Sequence, residues 1–152
     1  MSVQEKLQEL GIAIGSPGRP MANYVGCVRT GNLCYVSGHG PRLPEGGSIT
    51  GKVGRDLTTE QGYEAARLCM IACLSSLQGE IGDLNKVRRI VKLLGMVNCT
   101  EDFGEQPQVM NGASDLLVAI FGDRGRHARS AVGMQMLPNN IAVEVEMIVE
   151  VE

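Results

Sequence analysis

The sequence predicts an α+β fold in which a single layer of two helices covers one face of a mixed β-sheet. Apolar residues recur with the helical period over residues 58–77 and again over residues 107–121. From Ile141 to Val151 every second residue is apolar, which is typical of a strand with one buried face. Together with shorter apolar runs, these stretches give the order β-β-(β)-α-β-α-β-β. A chain of 152 residues has the length of one domain.

A short helix is predicted at the N-terminus. Val3, Leu7 and Leu10 are at helical spacing, and Gly11 is a suitable stop. This helix is expected to pack on the surface of the domain. Residues 16–20 contain two prolines and a glycine, so neither a helix nor a strand is expected there.

A β-hairpin is predicted next. The apolar runs over residues 24–28 and 33–36 flank Thr30-Gly31-Asn32, and glycine and asparagine tolerate the positive φ that tight turns need. The polar, glycine-rich residues 44–51 predict a mobile loop, and residues 52–53 are a candidate for a further short strand.

The first long helix is predicted to begin after Thr58, whose side chain is expected to form a capping box with Gln61. Its apolar stripe runs to about Leu77, and Gly79 and Gly82 are expected to end it.

A central strand and the second helix follow. Residues 87–99 are apolar enough for the middle of a sheet, and Gly95 within them suggests a bulge or a close backbone approach. Pro107 suits the first turn of the second helix, and Gly122 is expected to end it.

The C-terminal residues predict two antiparallel strands joined by a tight connection. An apolar run over residues 130–137 leads into Pro138-Asn139-Asn140, and the alternating run to Val151 follows. The odd positions from Ile141 are all apolar and must be buried, whereas the even positions include Glu144 and Glu146.

Composition limits the possible partners. The net charge of −3, the 3% aromatic content and the absence of tryptophan argue against nucleic-acid binding, which needs positive charge and stacking platforms. The five cysteines include no C-x-x-C pair. Cys69 and Cys73 are spaced for metal binding on a helix, but small buried residues of a reducing cytosol are the expected reading. No signal peptide or membrane-length apolar run is visible, so a cytoplasmic protein is expected. His39 and His127 are the only histidines and are apart from the cysteines in sequence, so no metal site is expected, and no organic cofactor is predicted.

Three groups of motifs, which together span residues 24–151, point to a family. The first is Arg129-Ser130, an apolar run, Leu137-Pro138 and Val143-Glu144-Val145-Glu146; the second is Asn23-Tyr24-Val25, Thr30-Gly31-Asn32-Leu33 and Tyr35-Val36-Ser37-Gly38; the third is the GKVGRD loop at residues 51–56. In order and coverage they resemble the RidA (YjgF) family of small enamine and imine deaminases, also labelled endoribonuclease L-PSP. The resemblance implies a chorismate-mutase-like fold, a homotrimer with sites between subunits, and an N-terminal extension over residues 1–22.

The resemblance also implies two catalytic residues. Arg129 matches the arginine that holds the carboxylate of a 2-imino acid, a task suited to its planar fork of donors. Glu144 matches the glutamate that orients the hydrolytic water. From the residues alone, Arg129 is equally a surface arginine paired with Glu144 or Glu146, and Glu146 is a second candidate for the role of Glu144.

Five further residues are expected to contact the substrate. Tyr24 matches a tyrosine that lies over the substrate, although an edge-strand tyrosine with its hydroxyl in water is the alternative. Ser37 and Gly38 match a Ser-Gly pair that approaches the ligand. His39 replaces a usual glutamine and is either an acid–base group or part of the rim. Asn111 matches an asparagine on the second helix, or is a surface residue.

Two positions differ from the family pattern. Ala131 stands where many members have cysteine, and Ser114 where they often have tyrosine. These differences indicate a divergent branch with an altered pocket wall. Separately, Arg124, Arg126, His127 and Arg129 form a basic cluster in the sequence. This cluster is suited to binding an anion, or its side chains are simply exposed to solvent.

The predicted function is hydrolysis of reactive 2-imino and 2-enamino acids to 2-keto acids and ammonia. The alternatives are a module that binds a small carboxylate metabolite without turnover and, less favoured because of the composition, an endoribonuclease. The resemblance leaves the physiological substrate open.

Overall fold

The computed structural model describes residues 1–20 and 22–152, and within them three helices and five strands are the main elements. None of these helices has the combination of length and apolar character that crossing a lipid bilayer requires. In chain order the elements are α1 (Val3–Glu9), β1 (Cys27–Thr30), β2 (Leu33–His39), α2 (Thr59–Ile81), β3 (Val87–Asn98), α3 (Gln106–Phe121), β4 (Ala128–Met134) and β5 (Val143–Val151).

The strands form one mixed sheet in the order β1-β2-β5-β3-β4. β3 and β4 are parallel, and all other neighbouring strands are antiparallel. α2 and α3 cover one face, on which Val143, Val145 and Met147 are buried. The predicted α+β class is therefore confirmed, and the alternation along β5 identified the buried face correctly.

The predicted C-terminal hairpin is wrong. β4 and β5 run antiparallel to each other, but they do not pair; they flank β3 on its two sides. Pro138–Asn140 forms a short 3-10 turn in which Asn139 and Asn140 have φ values of 56° and 58°. The turn residues were recognised correctly, but the connection carries the chain across the end of β3, roughly 10 Å or two strand spacings.

The side chain of Asn98 holds this crossing in place. Asn98 lies at the end of β3 and is fully buried. Its Nδ2 donates to Ile141 O at 3.1 Å and to Asn140 Oδ1 at 3.0 Å. Its Oδ1 accepts from Lys52 Nζ at 2.9 Å. These bonds attach the crossing segment to the central strand. Losing them would be costly, because a buried amide is unfavourable unless its donors and acceptors are satisfied.

Strand boundaries in the N-terminal hairpin differ from the prediction. β1 begins at Cys27 instead of Tyr24, because Ser37 and its neighbours bind the preceding residues irregularly: Ser37 N donates to Gly26 O and Ser37 Oγ to Val25 O. β2 continues to His39 through a register shift. The turn at Gly31, with a φ of 59°, is as predicted.

Glycine positions account for two further differences. The predicted end at Gly79 is not observed, since α2 continues to Ile81. Gly79 instead lets residues 16–20 pack against the helix, because a Cβ there would lie only 3.0 Å from Pro17 Cγ. Gly82 then ends the helix. Gly95 is not at a bulge, since the register shifts of β3 lie between residues 87 and 92. The side chain of Met110 occupies the space that a side chain at position 95 would fill.

The smaller N-terminal predictions agree in outline. α1 forms as predicted, with a capping box between Ser2 and Glu5 and with Val3 and Leu7 buried. Residues 52–53 contribute only isolated bridges, from Val53 to Leu57 and to Cys99. Residues 43–47 form a closed turn, with Leu43 N donating to Gly47 O.

All five cysteines are buried and free. Cys69 and Cys73 donate their S–H groups to the carbonyls of Val143 and Val145 at 3.4 and 3.3 Å. Burial raises the pKa of both thiols well above the ordinary value. They attach α2 to β5, as expected for core cysteines.

No helix or strand of residues 1–20 and 22–152 covers the face of the sheet opposite α2 and α3. Apolar side chains lie on it in the middle of the sheet, and Tyr35 and Val132 remain 45% and 39% exposed. Glu146 and Glu144 lie on the same face.

Gly112 offers a test of the helix layer. A Cβ there would overlap the backbone carbonyl of Tyr63 and lie 3.2 Å from the amide nitrogen of Arg67, so α2 and α3 pack backbone to backbone. We expect Gly112→Ala to lower the free energy of unfolding by about 1–3 kcal/mol, although alanine is the better helix former. Urea denaturation measures this. Gly104→Ala, with open space around its Cβ, is the control and should show no such loss.

Candidate functional site

Arg129 lies on the edge strand β4 with its side chain directed at α3. Its Nη1 donates to Asn111 Oδ1 at 3.0 Å and to Ser114 Oγ at 3.1 Å. Its Nη2 donates to Pro107 O at 3.4 Å. All three acceptors are uncharged groups of α3, so the helix fixes the guanidinium without neutralising it.

A chain of hydrogen bonds continues from Arg129 to His127. The Ser114 hydroxyl accepts from Arg129 and lies 2.8 Å from His127 Nε2. His127 Nδ1 lies 2.6 Å from Gly125 O, which can only accept. His127 therefore carries its proton on Nδ1, and the Ser114 O–H donates to Nε2. Burial and the positive charge of Arg129 lower the pKa of His127, although the hydrogen bond to Gly125 opposes this.

Among the described residues Arg129 forms no ion pair. The proposed pairing with Glu144 or Glu146 is absent because the sheet separates them. Arg129 is the register partner of the buried Leu93, whereas Glu144 is the partner of Met96, three residues further along β3. Residues an odd number apart on a strand point to opposite faces. Arg129 therefore faces the helices, and Glu144 faces the uncovered side.

Glu144 lies against Gly38 of the neighbouring strand. A Cβ at Gly38 would lie 2.5 Å from Glu144 Oε1, so only glycine leaves room for this carboxylate. Burial raises the pKa of Glu144, and the charge of Glu146 adds to the shift. Glu146 itself is exposed. The geometry thus distinguishes the two glutamates, since Glu144 is half-buried at the Ser-Gly motif and Glu146 is not.

The other N-terminal residues lie around a small cavity of about 370 Å³. Tyr24, Gly38 and His39 line it, and Tyr24 is 50% exposed. His39 Nδ1 lies 2.5 Å from Ser37 O and its Nε2 lies 2.7 Å from Ser76 Oγ of α2. With both ring nitrogens bound, His39 supports the end of β2, and only its ring carbons are left for a ligand. The Ser37 hydroxyl is likewise engaged, by Val25 O.

The predicted residues therefore form two groups instead of one site. Arg129 and Asn111 lie together at β4 and α3, whereas Tyr24, Ser37, Gly38, His39 and Glu144 lie at the end of β2 and on β5. The roles of Ser114 and His127 as supports of Arg129 were not predicted from the sequence. One signal was present: Ser114 follows Asn111 by three residues and so shares its helix face.

Comparisons with known proteins match the whole chain. Residues 5–151 match the family model described as "YjgF/chorismate_mutase-like, putative endoribonuclease". Protein TCP17 of Trypanosoma cruzi is 46% identical over 149 residues, which are 97% of this chain and 93% of TCP17.

Solved structures agree with this match. Atu1372 of Agrobacterium tumefaciens, whose function is given as unknown, has a TM-score of 0.92 and 42% identity over 99% of this chain and 92% of its own. A "putative endoribonuclease" of Shewanella oneidensis has a TM-score of 0.95 and 30% identity over 99% and 100% of the two chains. RidA of the Antarctic bacterium Psychrobacter, with a TM-score of 0.62, is 23% identical over 90% and 94%, and shares the fold.

The two histidines provide an internal test of the Arg129 group. We expect NMR titration to give both a pKa below the ordinary 6.5. In Arg129→Gln the pKa of His127 should rise, because a nearby positive charge is removed, while that of His39 should stay unchanged as the control.

The same shifts give stability a pH dependence. A histidine whose pKa is lowered in the folded state costs no stability above about pH 6.5, and stability is lost as the pH falls from there towards the folded pKa. Urea unfolding at about pH 7.5 and 5.5 should show this loss. A His127 pKa above 6.5, or one insensitive to Arg129→Gln, would contradict the assigned hydrogen-bond chain.

Proposed function

Because the chain belongs to the YjgF (RidA) family, we propose that it hydrolyses reactive 2-imino and 2-enamino acids to 2-keto acids and ammonia. The observation that carries the proposal is the state of Arg129. A guanidinium has five N–H donors, and three of those of Arg129 are used on α3. The Nε–H and one Nη2–H remain for a ligand. A fixed cation with two free donors and no carboxylate partner among the described residues suits the carboxylate of a small metabolite.

Glu144 is the proposed partner of the hydrolytic water. Its carboxylate is half-buried, and burial raises its pKa, so it is a better proton acceptor than an exposed glutamate. The oxygen of the water forms a bond to the imine carbon, the C=N electron pair moves to nitrogen, and Glu144 takes a proton from the water. The proton then passes to nitrogen, which gives a carbinolamine. Its hydroxyl proton moves through Glu144 to nitrogen as the C–N bond breaks and the C=O bond forms, so that ammonia and a 2-keto acid are released. The imine is already an electrophile, so positioning and proton transfer through one carboxylate suffice.

Asn111 and Ser114 are positioning residues in this proposal, since each accepts a hydrogen bond from Arg129 and so fixes the guanidinium plane. Tyr24 and Gly38 contact the substrate from the other group. His39, whose ring nitrogens are both engaged, supports the backbone at Gly38. No step needs a metal or an organic cofactor.

We place the complete site between subunits of a homotrimer. Arg129 and Glu144 lie on opposite faces of one sheet, so the residues of one chain do not meet around one small molecule. The uncovered sheet face, with Tyr35 and Val132 exposed, provides an apolar surface for association. Two chains would then contribute one group each. The buried, reduced cysteines are in keeping with a cytoplasmic location.

A deaminase assay tests the function directly. An amino-acid oxidase generates 2-imino acids, and semicarbazide trapping reports how long they persist. We expect the protein to shorten this lifetime, and Arg129→Ala to lower kcat/KM by roughly 10²- to 10³-fold, because the carboxylate loses its charged donors. Arg126→Ala is the matched control: Arg126 is exposed and pairs with Asp123 at 3.4 Å.

The other outcomes separate the remaining functions. Equal activity of the wild type and Arg129→Ala would refute the role of Arg129. Arg129-dependent binding of a 2-keto acid without imine hydrolysis would indicate a carboxylate-binding module. Cleavage of RNA that disappears in Glu144→Gln would favour a nuclease.

Mixing of variants tests the shared site. Arg129→Gln and Glu144→Gln are each expected to be inactive, whereas refolding them together should restore activity. In a random mixture about one interface in four combines an intact Arg129 with an intact Glu144 from the neighbouring copy. Recovery of roughly a quarter of the wild-type activity is therefore expected. A mixture as inactive as its components would show that both residues must come from the same chain.

A further inference from the structure

The cavity beside Tyr24, Gly38 and His39 contains two arginines that the proposed reaction does not use. Arg19 and Arg42 line it, and no aspartate or glutamate belongs to the described lining. Glycine residues form much of the remaining wall, so backbone surrounds the space closely. The volume, about 370 Å³, suits a small metabolite or the side chain of one.

Arg42 is held in position by backbone packing. Its Nη1 lies directly against Gly18, at the place where any side chain at position 18 would lie. An isolated bridge pairs Arg42 with Ser48 across the closed turn of residues 43–47. The guanidinium therefore lies between the segment of residues 16–20 and this turn. Its positive charge also contributes to the lowered pKa of His39, which places the charge close to the cavity wall.

Arg19 and Arg42 bring two guanidinium groups to one cavity, and both residues are exposed. In the described part of the chain neither arginine forms a salt bridge, and the side chain of neither makes a hydrogen bond there. An anion in the cavity would therefore meet two guanidinium groups whose donors are free. The arrangement is that of a receptor for a negatively charged group.

Gly38 connects this cavity to the proposed reaction. Its backbone lines the cavity, and its Cα faces the carboxylate of Glu144. The proposed substrate would extend its side chain from Glu144 past Gly38 into this cavity. Arg129 of a neighbouring copy would hold the first carboxylate, which leaves Arg19 and Arg42 for a second anionic group.

We propose that Arg42, assisted by Arg19, selects substrates with a second carboxylate, so that 2-imino dicarboxylates of four or five carbons are the preferred substrate class. This inference rests on the proposed deaminase function and names its substrate. Arg42 acts here as a specificity-determining residue, since it binds the distal end of the substrate and not the reacting atoms.

The test compares two imines. D-Aspartate oxidase acting on D-aspartate or D-glutamate supplies the dicarboxylic imines, and D-amino-acid oxidase acting on D-alanine supplies a monocarboxylic one. The wild type should have the higher kcat/KM for the dicarboxylic imines. Arg42→Gln should lower the ratio of dicarboxylic to monocarboxylic kcat/KM by about 10- to 100-fold, the usual effect of losing a hydrogen bond to a charged group.

Further variants keep the test sharp. Arg42→Lys retains the charge without the fork of donors and should recover part of the ratio. Arg88→Gln removes an exposed arginine of β3 that does not line the cavity, and it should leave the ratio at the wild-type value. A ratio that Arg42→Gln and the double variant Arg19→Gln/Arg42→Gln leave unchanged would overturn the proposal, even if the alanine-derived imine is hydrolysed normally.

A binding experiment separates this proposal from the proposed function. Calorimetry with 2-oxoglutarate, 2-oxobutanoate and inorganic phosphate needs no turnover. Preference for 2-oxoglutarate that Arg42→Gln abolishes supports the dicarboxylate subsite, even if no imine is hydrolysed and the deaminase function fails. Phosphate binding equal to that of 2-oxoglutarate, or binding of all three ligands that ignores Arg42, would overturn it.

Discussion

The fully buried amide of Asn98 is the interaction on which the rest of the structure depends. It binds Lys52 on one side and the backbone and side chain of the crossing segment, at Ile141 and Asn140, on the other. Because that segment passes over the end of β3, β4 and β5 are placed on opposite sides of the central strand. The positions of both proposed catalytic residues follow, since Arg129 is on β4 and Glu144 is on β5.

Local sequence was sufficient for the elements but not for their pairing. The period of the apolar residues located both long helices and the buried face of β5, because each of these patterns lies within one short stretch of consecutive residues. The hairpin prediction failed because Pro138-Asn139-Asn140 specifies a reversal of direction, and a reversal is compatible with an adjacent strand or with one further away. The choice is made by Asn98, more than forty residues away in sequence from Asn140, and no local pattern records that contact.

In the candidate site, too, residue types were predicted from the sequence, whereas their spatial arrangement was not. Arg129 and Glu144 came from motif resemblance, and the structure adds that they face opposite sides of the sheet, which follows from β-strand register and not from residue type. The supports of Arg129 were harder to find. Ser114 is on α3 and His127 lies just before β4, so their joint role depends on how α3 packs against β4. His39 illustrates the converse: residue type suggested proton transfer, whereas its contacts with Ser37 and Ser76 indicate a structural role.

The buried cysteines have a chemical consequence for the proposed deaminase function. Imines are electrophiles that nucleophiles attack at carbon, and the thiolate is the most reactive nucleophile that a protein offers. Here all five thiols are buried, and burial raises the pKa of Cys27 to about 12. Ala131 removes a further thiol from the position where many family members carry one. In the proposed reaction the substrate meets water and a carboxylate but no exposed thiol, which would protect the chain from covalent modification at cysteine by its own substrates.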